Sequence, residues 1–281
     1  MQVNGETRIV GVFGDPIKHS ASPQMHNAAF AHLKMNWCYL PFNVNPANLD
    51  AALRGVREMN FVGVNLTVPH KILALAIVDT VDPLAKQLGA INTVVVAKDR
   101  KLIGNNTDGY GLVKALQEEF HLKPKGKRVT ILGAGGAGRA ATIQCAIEGV
   151  AELYLVNRTV SKAEELAQEL RHDFPNVNVT IGIPQATKID LLINATSLGL
   201  RPGDPSPIAR EELTKFARVY DMIYRPPETK LLRDARRAGC KTANGLSMLL
   251  HQGARAFEIW TGRKAPVEVM RKTLHKAVYG K

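Results

Sequence analysis

The sequence contains no apolar run near the roughly 20 residues that a membrane-crossing helix needs, so a membrane partner is not expected. Its opening residues, Met1-Gln2-Val3-Asn4-Gly5-Glu6, lack the basic and apolar regions of a secretory signal. Cysteine is scarce: Cys38, Cys145 and Cys240 lie far apart, with no C-x-x-C pair. Such an odd, unpatterned set argues against a disulfide framework and for a reducing cytoplasm, the thiols serving as small buried hydrophobes. His70 and His251 have no other donors at metal-ligand spacing, and no metal is expected. Internal repeats and low-complexity segments are also missing from the 281 residues, a length that suits one large or two ordinary domains.

Aromatic residues are not interleaved with the positive charge, although the formal net charge is +12. Lys plus Arg against Asp plus Glu is 10 to 8 over residues 1–108, 20 to 15 over 109–244, and 7 to 2 over 245–281. Apart from a Lys123–Arg128 connection and a basic C-terminal tail, the excess is spread out. Nucleic-acid binding would want a focused patch with stacking platforms. A diffuse field better suits attraction of small polyanions.

What is present is concentrated between residues 128 and 162. Arg128-Val129-Thr130-Ile131-Leu132 reads as a buried strand running into Gly133-Ala134-Gly135-Gly136-Ala137-Gly138, which opens an apolar helix from Ala140 to Ile147. In a dinucleotide site Gly133 permits the tight turn, Gly135 admits a pyrophosphate and Gly138 lets helix and strand pack closely, with the phosphates on free N–H groups at the helix start. An ordinary strand-to-helix turn is the plainer reading of the same glycines. The next strand, Leu153-Tyr154-Leu155-Val156, distinguishes cofactors. An NAD enzyme usually ends it with an acid for the ribose 2′-hydroxyl, whereas this chain has Asn157-Arg158-Thr159, with Lys162 one helical turn later. Arg158 alone reads equally well as a solvated arginine, but the cluster of cations and a hydroxyl suits a 2′-phosphate and predicts NADP(H).

The N-terminal part alternates. Strands are expected at Ile9–Phe13, Cys38–Phe42 and Phe61–Asn65, helices at Pro23–Leu33 and Pro46–Met59, and a hairpin from Thr93–Val96 to Lys101–Gly104. This alternation predicts an α/β fold with a mainly parallel, helix-covered sheet. A helix over Tyr110–Phe120 leads to the cofactor strand, further strands are expected at Asp190–Ile193 and Val219–Met222, and the dinucleotide unit ends near Lys241–Asn244. Gly245–Lys276 reads as two helices that pack back on the N-terminal sheet. The expected division is therefore a substrate-binding domain of residues 1–108 completed by 245–281, a Rossmann NADP-binding domain of residues 109–244, and an active-site cleft between them.

Polar clusters stand where strands end and helices begin, which is where open α/β sheets bind ligands. Ser20 and Ser22 follow the first strand and could cradle a carboxylate at a helix N-terminus, although Ser22 before Pro23 reads equally well as a helix N-cap. Lys71 follows Pro69 in the first turn of the next helix. A cation there opposes the helix dipole, which eases loss of a proton and suits a general acid or base; an ordinary surface lysine is the alternative. Asp108 opens another helix, either as its cap or as a carboxylate that positions Lys71. Asn92 precedes a strand and reads most simply as a turn amide. Gln252 stands among Met248, Leu249, Leu250 and Phe257, where a lone amide is expected to serve a buried ligand.

Taken together, these residues resemble the shikimate dehydrogenase family over almost the whole chain. The resemblance rests on Ser20-x-Ser22-Pro23-x-x-His26-Asn27, Asn65-x-Thr67-x-Pro69-x-Lys71, Gly104-x-Asn106-Thr107-Asp108, the glycine loop, Asn157-Arg158-Thr159-x-x-Lys162, Asn194-Ala195-Thr196-Ser197-x-Gly199, Asp221-Met222-x-Tyr224 and Asn244-Gly245-x-x-Met248-Leu249-x-x-Gln252. It implies a cytoplasmic enzyme, monomer or homodimer, that reversibly reduces 3-dehydroshikimate to shikimate with NADPH in aromatic amino-acid biosynthesis. It further implies that Ser20 and Ser22 hold the substrate carboxylate and that Thr67, Asn92, Asp108, Tyr224 and Gln252 engage its hydroxyl face. Lys71 would be the acid/base residue, and Thr196, Met222 and Gly245 would flank the nicotinamide. Leu200 departs from the methionine usual after Gly199 and puts only fine packing beside the cofactor in question. Two alternatives stand beside this reading: a quinate/shikimate dehydrogenase of broader specificity, and a non-catalytic metabolite sensor, against which the joint presence of Lys71 and Asp108 argues.

Overall fold

Alternating strand-like and helical segments fold into two six-stranded sheets, described over residues 3–185 and 188–280 of a computed structural model. The chain divides into two units, Met1–Gly111 with Leu250–Lys281, and Leu112–Leu249. Among the described residues no helix is long and apolar enough to cross a membrane.

In the first unit, strands β1 (Arg8–Gly14), β2 (Trp37–Asn43), β3 (Gly63–Leu66), β4 (Thr80–Val81), β5 (Thr93–Val96) and β6 (Leu102–Asn105) lie in the order β2-β1-β3-β5-β6-β4. β1 pairs in parallel with β2 and β3, and β4 with β6, while β5 runs against both of its neighbours. Strand alternation sends successive side chains to opposite faces, so β3 is covered on both. Val64 and Leu66 join a core with Leu49, Leu53 and Val56 of helix α2 (Leu49–Glu58). On the other face the C-terminal helices close the sheet. The Trp260 indole of α9 (Leu246–Thr261) donates to the Val94 carbonyl at 3.1 Å, Phe257 stacks on Phe30 of α1 (Ser22–His32), and α10 (Val267–Tyr279) packs along α1. Two short helices, α3 (His70–Leu73) and α4 (Pro83–Leu88), connect β3 to β5.

The second unit holds β7 (Arg128–Leu132), β8 (Glu152–Val156), β9 (Asn178–Ile181), β10 (Leu191–Asn194), β11 (Arg218–Asp221) and β12 (Lys241–Asn244). Their order is β12-β11-β10-β7-β8-β9 and every neighbouring pair is parallel. Counted from β7, this is the doubly wound Rossmann order, whose direction of progress reverses between β7 and β10. Helices α5 (Asp108–Phe120), α6 (Gly136–Ile147), α7 (Val160–Asp173) and α8 (Lys230–Arg237) connect or flank these strands.

Candidate active site

Strand order sets the substrate-side residues together. In the first unit the chain leaves β1 toward β2 on one side and reaches β3 on the other, so the loops after β1 and β3 part at the C-terminal edge of the sheet. Backbone hydrogen bonds lock these loops: Thr67 N–H to Phe13 O at 2.9 Å, Asp15 N–H to Val68 O at 3.2 Å, and Ile91 N–H to Lys71 O at 2.8 Å. Ser20 and Thr67 are half-buried here, and neither hydroxyl has a protein partner among the described residues. Ser22 differs from the capping expectation. Ala21 is the N-cap of α1, and Ser22 is already helical, buried and without a capping bond. The following proline fits the first turn without a free N–H, which is why the helix starts one residue early.

Lys71 and Asp108 meet. The ammonium donates to Asp108 Oδ2 at 2.7 Å, with the lysine side chain 31% and the aspartate 15% exposed. The physical reason given above for Lys71 needs correction, because α3 is only four residues long and continues as a 3-10 turn at Ala74–Ala76. One turn carries little macrodipole, so the carboxylate, rather than the helix, sets the local field at the amine. Asp108 is free for this because Asn106 takes over the capping: its Oδ1 accepts from Asp108 N at 2.9 Å and Gly109 N at 3.3 Å. Asn92 is no turn amide. It is buried, its Oδ1 accepts from Thr107 N at 2.8 Å and Thr93 Oγ1 at 2.9 Å, and its amide reaches Thr107 Oγ1 at 3.0 Å and Gln252 Oε1 at 3.4 Å. Asn65 extends the network, donating to Thr93 Oγ1 and accepting from Tyr39 Oη at 2.8 Å. Asn65, Asn106 and Thr107 entered the sequence reading only as motif positions without an assigned role, and Thr93 only as a strand residue; their role is to hold Asp108, Asn92 and Gln252 in place.

In the second unit β7 delivers the chain into the glycine loop at the point where the sheet order reverses. Gly133 has φ +105°, a conformation that L side chains rarely adopt, and a Cβ on Gly138 would stand 2.0 Å from the Gly133 carbonyl oxygen. A Cβ on Gly135 would meet nothing, so open space faces it. Gly135, Gly136 and Ala137 are exposed at the start of α6, whose first turn carries no acid. Its free N–H groups and dipole are therefore disposed toward an anion. Asn157 braces this loop: its Oδ1 accepts from Ala134 N at 3.0 Å and its amide donates to the Thr159 carbonyl at 2.7 Å. Arg158, Thr159 and Lys162 are exposed around the start of α7, which also lacks a first-turn acid, and neither cation is paired with a carboxylate among the described residues. Thr196 packs against Gly133 and is held by Asn194 Oδ1 through its N–H at 3.0 Å and hydroxyl at 2.8 Å. Met222 and Tyr224, both half-buried, follow β11, and burial pushes the Tyr224 phenol up from its ordinary range. Gly245 is required by packing alone, since a Cβ there would lie 2.1 Å from the Met222 carbonyl oxygen.

Comparison with known proteins bears on the whole of this arrangement. The profile of the shikimate dehydrogenase substrate binding domain matches residues 12–94, that of shikimate / quinate 5-dehydrogenase residues 114–200, and that of the shikimate 5′-dehydrogenase C-terminal domain residues 245–275. The NADP(+) shikimate dehydrogenase of Desulforamulus reducens is 46% identical over 99% of this chain and 98% of its own. The chain belongs to the shikimate dehydrogenase family. A crystal structure of a shikimate dehydrogenase in complex with NADP+ superposes with a TM-score of 0.91 at 39% identity, covering 99% of this chain and 98% of the other. Ligand-free 5-ketofructose reductase from Gluconobacter sp. strain CHM43 has a TM-score of 0.87 at 36% identity, covering 97% and 99% respectively. Shikimate dehydrogenase relatives thus share both halves of the chain, and a protein described as a 5-ketofructose reductase shares the fold. Leu200 is 52% exposed, in the loop that Asp204 ties down through Gly199 N and Arg201 N, each at 3.0 Å.

Proposed function

We propose that this protein is an NADP-dependent shikimate dehydrogenase that reversibly reduces 3-dehydroshikimate to shikimate, a step of aromatic amino-acid biosynthesis. The observation that carries the catalytic part is the Lys71–Asp108 pair at 2.7 Å. Residues 1–108 with 245–281 bind the substrate and residues 109–244 the cofactor, the cuts falling at the starts of α5 and α9. Gly133 to Ala137 receive the pyrophosphate, Asn157 shapes the loop, and Arg158, Thr159 and Lys162 hold the 2′-phosphate; bound NADPH supplies a hydride to the ring ketone. Ser20 and Ser22 hold the substrate carboxylate. Thr67, Asn92, Tyr224 and Gln252 engage the ring hydroxyls, and Thr196, Met222 and Gly245 line the nicotinamide side.

As charge gathers on the carbonyl oxygen, the Lys71 ammonium stabilises it and transfers a proton to it. Asp108 fixes the lysine and accepts from a neighbouring substrate hydroxyl. In the oxidative direction neutral Lys71 takes the proton from the alcohol. Buried free thiols fit a reducing cytoplasm, and we take the enzyme to be a cytoplasmic monomer or homodimer. The test is to supply NADPH with 3-dehydroshikimate, follow loss of absorbance at the reduced nicotinamide band and identify the product by chromatography. Shikimate is expected in equal amount to the NADPH consumed; NADPH oxidation only with 5-ketofructose would instead assign the sugar-reductase branch.

A further inference from the structure

Asp221 is a fully buried carboxylate that the mechanism leaves unused. No Lys, Arg or His pairs with it among the described residues. Three donors surround it instead: Asn194 Nδ2 to Oδ1 at 2.9 Å, Ile223 N to Oδ1 at 3.1 Å, and Thr229 Oγ1 to Oδ2 at 2.6 Å. Two of these donors are fixed in that role by their other bonds. The Asn194 carbonyl oxygen is taken by Thr196 N and Thr196 Oγ1, so its amide hydrogens must face Asp221. Thr229 accepts from Leu232 N at 3.3 Å as the N-cap of α8, which leaves its hydrogen for Asp221. All three hydrogen bonds are thus built for an acceptor-only carboxylate. Burial pushes the Asp221 carboxyl up from its ordinary range, and the Thr229, Ile223 and Asn194 hydrogen bonds oppose that shift.

Through these bonds one carboxylate joins the loop after β10, which bears Thr196, to the loop after β11, which bears Met222 and Tyr224, and both to the start of α8. We infer that Asp221 is a positioning residue for the nicotinamide half of the cofactor, holding Thr196 and Met222 in register while the glycine loop and Arg158 hold the adenosine half. This inference rests on the cofactor assignment proposed above. Asp221→Asn turns one acceptor oxygen into a donor facing Thr229 and loosens both loops. The adenosine half is affected far less, because no hydrogen bond runs from Asp221 to Gly133, Asn157 or Arg158 and the one link is the packing of Thr196 on Gly133.

The experiment compares wild type, Asp221→Asn, Thr229→Val and Thr229→Ser by NADP kinetics and by binding of adenosine 2′,5′-bisphosphate, which carries the 2′-phosphate and no nicotinamide. For Asp221→Asn we expect the KM for NADP to rise about tenfold or more, the usual effect of a lost charge-assisted hydrogen bond, with bisphosphate affinity within about twofold of wild type. Thr229→Val should move NADP in the same direction by a smaller factor, and Thr229→Ser, which keeps the hydroxyl, should restore it. If Asp221→Asn does not fold, the Thr229→Val and Thr229→Ser pair decides alone. Unchanged NADP kinetics in the folded variants, or equal losses for NADP and the bisphosphate, would overturn the inference and leave Asp221 a structural carboxylate. Failure of wild type itself to bind NADP would instead strike the cofactor assignment, and this inference with it.

Discussion

Replacing Lys71 with alanine separates chemistry from architecture. At 2.7 Å the gross attraction between Lys71 and Asp108 is roughly 6 kcal/mol for an effective dielectric of about 20. Desolvation and side-chain ordering return most of that in a pair with a lysine 31% exposed, leaving about 1 kcal/mol of net stability. The melting temperature of Lys71→Ala should therefore fall by about 2–4 °C. Turnover should fall by about 10²–10⁴, or roughly 3–5 kcal/mol of transition-state stabilisation, which is far more than the pair contributes to folding. Lys71→Arg keeps a cation that does not release its proton near neutral pH, and it should remain close to the alanine variant in turnover. Asp108→Asn should also slow turnover, and the double variant should be much less than multiplicatively worse, since the two residues act as a unit. The assay is steady-state kinetics with calorimetric binding of NADPH and shikimate as the control for intact sites. Wild-type turnover in Lys71→Ala would refute the catalytic assignment, and loss confined to shikimate binding would make Lys71 a substrate anchor.

Other expectations follow from the same structure. Arg158→Ala should weaken NADP by roughly ten- to a hundredfold while scarcely changing NAD, because only NADP offers a 2′-phosphate; equal losses in titrations of both cofactors would refute this. The Ser20→Ala, Ser22→Ala double variant should raise the KM for shikimate and leave NADP binding intact, and unchanged shikimate kinetics would remove the carboxylate cradle. His26, stacked on Tyr39 at 4.3 Å, takes a proton near 6.5 when unfolded, but burial holds it down to about 3 in the fold. The unfolded chain then binds more protons across that window, so stability should fall as pH drops from about 6.5 toward about 3, by at most about 1.4 kcal/mol per pH unit from this residue. Urea midpoints of wild type and His26→Phe measured at several pH values should diverge accordingly, and parallel curves would contradict the burial argument.

Much of the fold was legible because its signals are local. The β7–glycine loop–α6 unit is a contiguous pattern, and the hairpin of β5 and β6 is announced by two short apolar runs around Asp99-Arg100. The sequence reading passed over α4, α7, α8, β4 and β9. The α8 segment is only eight residues long and rich in arginine, and β4 only two residues, so periodicity had little to work on. At the site, Lys71 and Asp108 announced themselves by standing at helix starts, yet the helix offered as the reason for Lys71 is a single turn. The bonding of Asn92 and Asp221 was illegible for a physical reason. Asn92 finds partners at Thr107 and Gln252, 15 and 160 residues away, and Asp221 finds Asn194 27 residues away, contacts that only the tertiary fold creates.

The central claim, a shikimate dehydrogenase that reads the 2′-phosphate of its cofactor, is tested most directly by initial rates for oxidation of shikimate and of quinate, each with NADP and with NAD. The account predicts the highest kcat/KM for shikimate with NADP and a loss of about tenfold or more when NAD replaces it, reflecting the missing charge-assisted contacts to Arg158 and Lys162. Equal rates with NAD would contradict the cofactor assignment, and a preference for quinate, or no turnover of either acid, would contradict the substrate assignment.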